Sequence, residues 1–440
     1  MRNKAIVIGG SIAGKLAAKA LSDFFKEVVI LEAGEQRKEE SARKQVPQSN
    51  HIHVLLATGA EELEKLFPNI KNELIELGSI TSNVTQDIKW YHFGELKHRF
   101  KGDINIIQQS RLMLEQHIQY RTEAISNIII QNGKVVEKLI MDDQRIKVCG
   151  ITVKCLETGI QENMYADLVV DASGFHSKNI SWLQEHKINV KEEKIKIDLS
   201  YSTRMFRLKE NYCIDGKVIY VTPKLPEIPY GAIIQKLEKN KYFLTYIGYA
   251  NERLPKNEEG FYDFSKKMAL PDILEFLQHA EAISDISMYK VPYQVRKQFE
   301  KTKNVPAGFL VMGDAHTRFD PIYGQGMTIA AMESIELQKC LQQLNKIDKK
   351  FTQIFYASIA KIVDIPWEMT TTEIFRHPEL RGDLSVKQKF QQWYTKKVYE
   401  VAATNEEVYS RLAKVIHLLC KPTHLFHPKV LFAVLLHKKN

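Results

Sequence analysis

The feature that most constrains the fold of this chain is a glycine-rich turn close to the amino terminus. The stretch AIVIGGSIAGKLAAKAL, residues 5–21, places four apolar residues before Gly9 and Gly10, with a third glycine, Gly14, further on. β-branched, uncharged residues ended by glycine predict a short buried strand, and the apolar spacing from Ile12 to Phe25 predicts an amphipathic helix. Because a helix that begins directly after such a turn presents free N–H groups, the stretch predicts a site for a phosphate compound.

The turn follows the dinucleotide-binding pattern, with a serine where the second glycine usually stands. Glycine at its start permits the tight turn, glycine at its end lets the helix pack closely on the strand, and the small residue between leaves room for a pyrophosphate. A second predicted strand, EVVILE, ends in an acid at the spacing expected for binding a ribose hydroxyl, which favours FAD or NAD over NADP. The residues predicted to contact the cofactor here are Gly9, Gly10, Ser11, Ile12, Ala13, Gly14 and Glu32.

A second glycine-bearing loop lies far along the chain, in AGFLVMGDAHTRFDPIYGQGMTIAAMES, residues 307–334. Phe309–Met312 is predicted to be a strand that ends at a Gly-Asp pair, and a tight loop follows from Pro321 to Gly326. The loop leads into a helix predicted to begin near Met327, so its N–H groups suit a polarised carbonyl oxygen or a phosphate.

With these motifs the chain resembles the flavoprotein monooxygenases, the superfamily of aromatic hydroxylases, squalene epoxidase and the epoxidases of polyether and terpenoid biosynthesis. DLVVDASGFHSK, residues 167–178, also resembles that superfamily's mid-chain strand and turn. The resemblance implies that Asp314 binds a ribityl or ribose hydroxyl of FAD, and that the amides of residues 324–327 cover the pyrimidine edge of the isoalloxazine. The positions to which it carries cofactor binding are Asp171, Gly174, Gly313, Asp314, Pro321, Gly324, Gln325, Gly326 and Met327.

Further stretches resemble the bacterial epoxidase-like branch of the superfamily: residues 42–56, 109–118, 287–300 and 402–436. By this resemblance, Arg43 and Arg111 contact the FAD phosphates or the adenosine.

Two segments depart from the branch. Asp320 precedes Pro321 where asparagine is usual, and Phe175, His176, Ser177 and Lys178 stand where the mid-chain motif usually continues with arginines. A carboxylate at position 320 would either alter the reactivity of the flavin or cap the loop. Lysine in place of arginine lacks the bidentate fork.

The predicted fold class is α/β, with a Rossmann-like FAD-binding domain of the glutathione reductase type, an inserted, mostly antiparallel β-sheet substrate domain and a helical C-terminal segment. Runs such as KVIYVTP and KYFLTYIGYA predict the inserted sheet. The predicted bounds are 1–190 with 300–345 for the FAD-binding domain, 191–299 for the substrate domain and 346–440 for the helical region.

Three side chains are candidates for catalytic roles beside the flavin, although the chemistry of this class requires no acid–base triad. Tyr323 is a candidate floor of the substrate pocket, the alternative being a turn aromatic that packs on the sheet. His316 is a candidate donor to a bound oxygen, and the alternative is that this histidine has a purely structural role. His53, with His51 two residues before it, is a candidate lining residue; a metal pair is disfavoured because no acidic or cysteine partner stands nearby.

The resemblance implies a reaction in which reduced FAD and O2 form the flavin C4a-hydroperoxide, which epoxidises or hydroxylates an apolar alkene or aromatic substrate. A flavin-dependent reductase of isoprenoid double bonds and a flavin-binding protein without turnover stay open as alternatives. Halogenation is disfavoured because the tryptophan-containing motif and lysine context of that family are not found. No second complete dinucleotide turn is present, so NAD(P)H is expected to bind transiently or to act through a separate flavin reductase.

Composition narrows the partners and the location. The net charge of +9 is spread over scattered lysines without a nucleic-acid-binding motif, so nucleic acid is not expected as a partner. Five cysteines without a CxxC pair argue against a disulfide framework or a zinc site and favour the cytoplasm. No apolar run is long enough for a transmembrane span. For the tail from Leu418 to Leu436, a helix pair that covers the core is favoured over peripheral membrane contact.

Overall fold

The computed structural model describes residues 2–34, 50–380 and 382–437 of the 440-residue chain. The strands, in chain order, are β1 Arg2–Ile8, β2 Phe25–Glu32, β3 Ile80–Asn83, β4 Ile88–His92, β5 Glu95–Leu96, β6 Asn105–Gln108, β7 Ile128–Asn132, β8 Lys134–Met141, β9 Val148–Cys155, β10 Gln161–Tyr165, β11 Leu168–Asp171, β12 Glu192–Leu208, β13 Val218–Val221, β14 Tyr230–Lys236, β15 Lys241–Gly248, β16 Ala280–Ala282, β17 Ser287–Lys297, β18 Phe309–Val311 and β19 Thr317–Arg318. The helices are α1 Ile12–Ser22, α2 Ala57–Leu66, α3 Ile70–Glu76, α4 Arg111–Glu123, α5 Asn179–Glu185, α6 Glu258–Ser265, α7 Asp272–Gln278, α8 Gly326–Gln343, α9 Lys349–Ile374, α10 Val386–Val401, α11 Glu406–Ile416 and α12 Pro428–Leu436.

A parallel sheet joins the amino-terminal strand to strands from the middle of the chain. Its order is β18-β11-β1-β2-β7, and every pairing in it is parallel. Such strands are covered on both faces, which agrees with the continuous burial of β11 and β18. Because β1, β11 and β18 are neighbours, their carboxyl ends meet at one edge, where open α/β sheets bind their ligands.

The first helix is shorter than its apolar spacing predicts. α1 ends at Ser22, and Phe25, expected within the helix, instead begins β2 and pairs with Arg2. Phe25 is fully buried in this strand, so an apolar residue that continued the helical spacing serves the sheet instead.

A large, mostly antiparallel sheet forms the second layer. Its order is β19-β17-β12-β15-β14-β13-β4-β5, with β16 paired to β12 at the side. The sheet extends beyond the predicted segment 191–299, because β4 pairs in parallel with β13, far downstream, and β19 pairs with β17. No hairpin turn links β4 to β13, so the local sequence contains no signal for that pairing.

The two faces of this sheet have different neighbours. One face packs on α6 and α7 around Phe206, Tyr246, Phe261 and Phe276. Tyr246 is fully buried there and its hydroxyl donates to the carbonyl oxygen of Phe261 at 2.8 Å. The opposite face turns toward the carboxyl edge of the parallel sheet and toward the carboxy-terminal helices.

Four helices, α9 to α12, follow the return to the parallel sheet, and the predicted helical C-terminal segment is confirmed. Val398, Tyr409, Leu412 and Val430 form the centre of their shared apolar core. Together with the parallel sheet and the large β-sheet, these helices confirm the predicted α/β fold class. In the part of the chain that the structure describes, no helix is both long and apolar enough to cross a membrane.

Candidate active site

A cavity of about 860 Å³ lies between the carboxyl edge of the parallel sheet, the large sheet and the C-terminal helices. Its volume is in the range of cofactor and small-molecule sites. Glu32, from the end of β2, and Asp314, from the loop after β18, both line it. Two segments almost 300 residues apart in the chain therefore converge on one space.

The turn between β1 and α1 forms one end of this cavity. Gly9 has φ of +101°, and a Cβ there would come within 2.6 Å of the carbonyl oxygen of Ala172 in the loop after β11. A Cβ at Gly14 would overlap the carbonyl oxygen of Gly9 itself, so the helix can lie against the turn only with glycine at this position. Ser11, at the helix N-cap, makes no side-chain capping hydrogen bond. The start of α1 is therefore a cradle suited to an anion.

Glu32 is held at the edge of the cavity by backbone amides. Its Oε2 accepts from the Gly10 N–H at 2.8 Å and its Oε1 accepts from the Gly34 N–H at 2.9 Å. Gly10 and Gly14, predicted to contact the cofactor, do not line the cavity: the first positions Glu32, and the second permits the close helix packing. In this structure both residues shape the turn, and their contact with the cofactor stays a prediction.

Arg111 brings positive charge to the same end. It begins α4, whose N-cap Ser110 accepts from the N–H of Met113 at 3.2 Å, and its guanidinium lies 3.4 Å from the Ser11 hydroxyl. Glu115, one turn on, lies 3.7 Å from the same guanidinium. A guanidinium beside an uncapped helix start suits a phosphate. Arg43, predicted for the same role, lies outside the described residues.

Asp171 does not line the cavity, and its predicted contact with the cofactor is a correction. The carboxylate is fully buried at the end of β11 and accepts hydrogen bonds from the Ser173 N–H at 3.0 Å, the Ser177 hydroxyl and the Asn179 amide at 2.8 Å. It therefore orders the loop of residues 172–179, which does line the cavity and includes Gly174.

The loop segment that departs from the family pattern contributes an aromatic ring to the cavity wall. The Arg318 guanidinium lies 4.1 Å from the centre of the Phe175 ring and donates to the Tyr289 hydroxyl at 2.8 Å. Arg318 also favours the ionised form of Asp314. The Phe175 ring thus packs against an arginine of β19 in the cavity wall.

Asp314 contributes a carboxylate to the lining of the cavity. Gly313 before it has φ of +60°, and its N–H donates to the buried Glu333 at 2.7 Å. Burial raises the pKa of Asp314, while Arg318 and Arg111 oppose that rise. A Cβ on Gly326, at the start of α8, would lie 3.6 Å from the Asp314 carboxylate.

The loop of residues 320–326 closes the other end of the site. Pro321–Tyr323 form a short 3-10 helix, Gly324 has φ of +63°, and α8 begins without a side-chain cap. A second helix start without a side-chain cap thus faces the same cavity as that of α1, and Glu32 and Asp314 line that cavity too. Residues 321–327 all line it. An elongated ligand with phosphates at one end and carbonyl oxygens at the other, such as FAD, fits these donors.

Asp320 caps this loop, as one of the two interpretations of the unusual carboxylate predicts. Its Oδ1 accepts from the Ile322 N–H at 3.1 Å and its Oδ2 accepts from the Tyr249 hydroxyl at 2.6 Å. The side chain is fully buried, and burial raises its pKa to about 6.

Replacing Asp320 with asparagine is expected to change how stability depends on pH. The folded protein keeps a proton on Asp320 up to a pKa of about 6, whereas the unfolded chain releases it at the ordinary value of 3.8. The free energy of unfolding of the natural protein therefore falls as pH rises through this window, by about 3 kcal/mol at most. We expect the stability of Asp320→Asn relative to the natural protein to rise by that amount between pH 4 and pH 7, in urea unfolding followed by circular dichroism.

Asp383→Asn, at an exposed position, is the matched control and should show no such trend. A constant difference between Asp320→Asn and the natural protein across this pH range would contradict the prediction.

His316 does not line the cavity, so its candidacy as a donor to bound oxygen is corrected. The imidazole is 1% exposed, and its ring stacks near Phe299 and Tyr356 on the far side of the loop. Its Nδ1 lies 2.9 Å from the Thr317 hydroxyl, and burial lowers its pKa to about 3. His316 directly follows the short 3-10 helix of residues 313–315, and its backbone there places the imidazole in the core.

His51 and His53 do line the cavity. The His51 Nδ1 lies 2.7 Å from the Thr203 hydroxyl of the large sheet, and the His53 Nδ1 lies 2.9 Å from the His51 carbonyl oxygen. Burial, with the nearby Arg111, lowers the pKa of His53 to about 3, so its imidazole is neutral. Their placement agrees with the predicted lining role.

The remainder of the cavity is an aromatic compartment under the large sheet. Tyr323 lines it, and burial raises the pKa of its phenol, which stays protonated. Trp90 and His92 of β4 stack at 4.4 Å, and Tyr399 of α10 meets His92 at 4.5 Å. The sequence analysis missed these three residues. They come from segments with no motif, and only the pairing of β4 with β13 and the packing of α10 bring them together.

A partly buried ion pair borders this compartment. Arg376 contacts the carboxylate of Glu373 at 2.7 Å and donates to the Thr395 hydroxyl at 2.8 Å. Its guanidinium lies 5.2 Å from the centre of the Phe93 ring. The pair ties the end of α9 to α10 and adds no net charge to the cavity wall.

Comparison with known proteins agrees with this geometry. Residues 165–358 match the sequence model of the squalene epoxidase family. Protein Rv3254 of Mycobacterium tuberculosis is 27% identical over 357 residues, which are 79% of this chain and 75% of that protein.

Two solved structures share the fold. The flavin-dependent brominase Bmp2 superposes with a TM-score of 0.69 at 15% identity, over 97% of this chain and 96% of that one. The p-nitrophenol 4-monooxygenase PnpA from Pseudomonas putida DLL-E4 superposes with a TM-score of 0.66 at 13% identity, over 96% of this chain and 100% of that one. At such identity these likenesses show the fold alone, which a halogenase and a monooxygenase share. The squalene epoxidase match bears out the resemblance to the flavoprotein monooxygenases and agrees with an oxidoreductase of the monooxygenase type.

Proposed function

We propose that this protein is an FAD-dependent monooxygenase that transfers one oxygen atom from O2 to a small, largely apolar alkene or aromatic substrate, by epoxidation or hydroxylation. The observation that carries the proposal is the single cavity into which both Glu32 and Asp314 project. The lining of that cavity combines donors and acceptors of the kind that FAD requires with aromatic side chains that suit an apolar substrate.

FAD would lie along the carboxyl edge of the parallel sheet. The uncapped start of α1 and Arg111 would hold the pyrophosphate, and Glu32 would bind a ribose hydroxyl. Asp314 would bind the ribityl chain, and the start of α8 would face the isoalloxazine. When bound and reduced, FAD supplies the electrons with which O2 is activated for oxygen transfer.

The protein's own contribution is position and exclusion of water. Val218, Tyr220, Ile233 and Ile247 of the large sheet cover the compartment with apolar and aromatic surface. Such walls keep water from the reacting atoms, which protects a reactive oxygen species from wasteful breakdown. The neutral imidazole of His53 can exchange a hydrogen bond with the substrate or with oxygen without bringing a charge into the site.

Measurement of flavin content and oxygen use tests the proposal. Purified protein incubated with FAD is expected to keep the flavin absorbance bands after gel filtration. With NADH or NADPH, or with a flavin reductase as the alternative donor, and a panel of alkenes and phenols, it should consume O2. One atom from isotopically labelled O2 should appear in the product.

Each outcome separates one alternative. Reduction of a substrate double bond without incorporation of labelled oxygen would indicate the flavin-dependent reductase. Bound FAD without oxidation of NAD(P)H and without O2 use, under any donor, would indicate a flavin-binding protein without turnover. Protein that stays colourless and refuses FAD would overturn the proposal. The cytoplasmic location stays a prediction.

A further inference from the structure

The outer face of α10 carries an exposed apolar stripe. Val386, Phe390 and Trp393 follow one another at spacings of four and three residues, so they lie on one face of the helix. Phe390 and Trp393 are 49% and 50% exposed, and their ring centres are 5.7 Å apart. Phe426, 42% exposed, adds a fourth member at 6.5 Å from Phe390. We call these four residues the aromatic stripe.

The neighbouring helix α12, which packs against α10, is also apolar on its outside. Val430 and Val434 face the core, whereas Phe432, Leu435 and Leu436 are between 66% and 77% exposed. Single exposed apolar residues are ordinary, but large side chains in a row on adjoining helices mark an interaction surface.

Lysines border the aromatic stripe. At 100° per residue, Lys389 and Lys396 lie along one side of it and Lys387 on the other, and Lys389 and Lys396 are exposed. The acidic residue of α10, Glu400, is buried and lies 3.2 Å from the ammonium group of Lys397. Over residues 382–437 there are eight lysines and arginines against four acidic residues.

We propose that the aromatic stripe docks this protein on the surface of an anionic lipid bilayer. Aromatic and aliphatic side chains flanked by lysines, on a helix that lies along the protein surface, are the pattern of an interfacial helix. Each lysine near such a surface contributes attraction to anionic headgroups. A second copy of the chain is a poorer occupant, because the same lysines would face one another across a two-fold interface.

The docked face adjoins the cavity. Gln391, Tyr394 and Thr395, on the inner side of α10, line the cavity, and Phe426 belongs both to its lining and to the aromatic stripe. Docking therefore sets one wall of the aromatic compartment against the bilayer. If the proposed function holds, an apolar substrate dissolved in lipid enters from this side; docking itself does not depend on that function.

Flotation with lipid vesicles tests the docking. Full-length protein is mixed with phosphatidylcholine vesicles that contain or lack phosphatidylglycerol, at low and at high salt. We expect binding to the anionic vesicles, at least tenfold weaker binding to the neutral ones, and weakening with salt. Because Trp393 is half exposed while Trp182 and Trp367 are buried, tryptophan emission should shift to the blue on binding, and Trp393→Phe should remove most of that shift.

Two double variants separate the apolar and the electrostatic parts. Phe390→Ser with Trp393→Ser, and Lys389→Glu with Lys396→Glu, should each weaken vesicle binding at least tenfold. Tyr120→Ser with Ile160→Ser, which removes exposed apolar residues far from α10 along the chain, is the matched control and should bind as the natural protein does. Unchanged flavin content and unchanged thermal unfolding show that each variant is folded.

Equal binding to neutral and anionic vesicles, or no binding to either, would overturn the proposal. So would double variants that bind as well as the natural protein. If the natural protein is a dimer that the Phe390 and Trp393 changes convert to a monomer, without vesicle binding, the stripe is an interface between copies instead. A colourless protein that still binds anionic vesicles would overturn the proposed function and leave the docking intact.

Discussion

Replacing Gly14 with alanine is expected to weaken FAD binding strongly. A Cβ at this position would overlap the carbonyl oxygen of Gly9, and neither atom can move aside alone, because the Cβ is fixed to the backbone of α1 and the oxygen belongs to the backbone of the turn after β1. The overlap can be relieved only if α1 moves away from the turn, which opens the cradle for the pyrophosphate. We expect FAD affinity, measured by fluorescence titration, to fall on the order of 100-fold or more, which corresponds to about 3 kcal/mol.

Two further variants distinguish loss of the cradle from loss of the fold. Gly382→Ala is the control for an added methyl group, because a Cβ there would meet the Phe375 ring only at an ordinary 3.5 Å. Ser11→Asp places a carboxylate at the uncapped start of α1, where it should stabilise the helix by roughly 0.5–1 kcal/mol while it repels the pyrophosphate. It is therefore expected to unfold at a higher temperature than the natural apoprotein and yet to lose FAD. Tight FAD binding by Gly14→Ala or by Ser11→Asp would show that the anion does not lie at this turn.

Replacing Asp314 with alanine is expected to have the second large effect on FAD affinity. This carboxylate lines the cavity, and the hydrogen bonds that it would accept from FAD hydroxyls are of the charge-assisted kind, worth about 1.5–3 kcal/mol. We expect a 10- to 100-fold loss of FAD affinity, with little change in the unfolding temperature of the apoprotein. Because burial raises the pKa of Asp314, the affinity of the natural protein should also fall as the pH is lowered toward that pKa, and Asp314→Asn should remove this dependence.

Asp171→Ala is the informative contrast, since the sequence predicts the same role for both acids. Its carboxylate satisfies the donors of Ser173, Ser177 and Asn179 in the protein interior. Removing it leaves buried donors without a partner, which costs on the order of 3 kcal/mol of stability. We expect a lower unfolding temperature even without FAD. If Asp314→Ala destabilised the apoprotein and Asp171→Ala affected only FAD affinity, the assignment of the two acids would be reversed.

Much of the fold could be predicted because its signals are local. Gly9 and Gly14 are required wherever a strand turns directly into a closely packed helix, and Phe309 to Val311 are apolar because a parallel strand is buried on both faces. The boundary of α1 could not be predicted as well, because Phe25 satisfies the helical spacing and the pairing with Arg2 equally. Whether such a residue continues the helix or begins the strand depends on a partner strand that the neighbouring sequence does not reveal.

The residues of the candidate site likewise fall into those that the local sequence predicts and those that it does not. The sequence by itself determined that a phosphate-binding turn, an acid at Glu32 and a glycine loop after Asp314 exist, since each follows from the conformational needs of a few adjacent residues. Only the tertiary structure decided that Asp171 and His316 face the interior while Asp314 and His53 face the cavity, and that Trp90, His92 and Tyr399 form one wall. The direction of a side chain depends on which distant segments pack around it, and the spacing of nearby residues does not encode that choice.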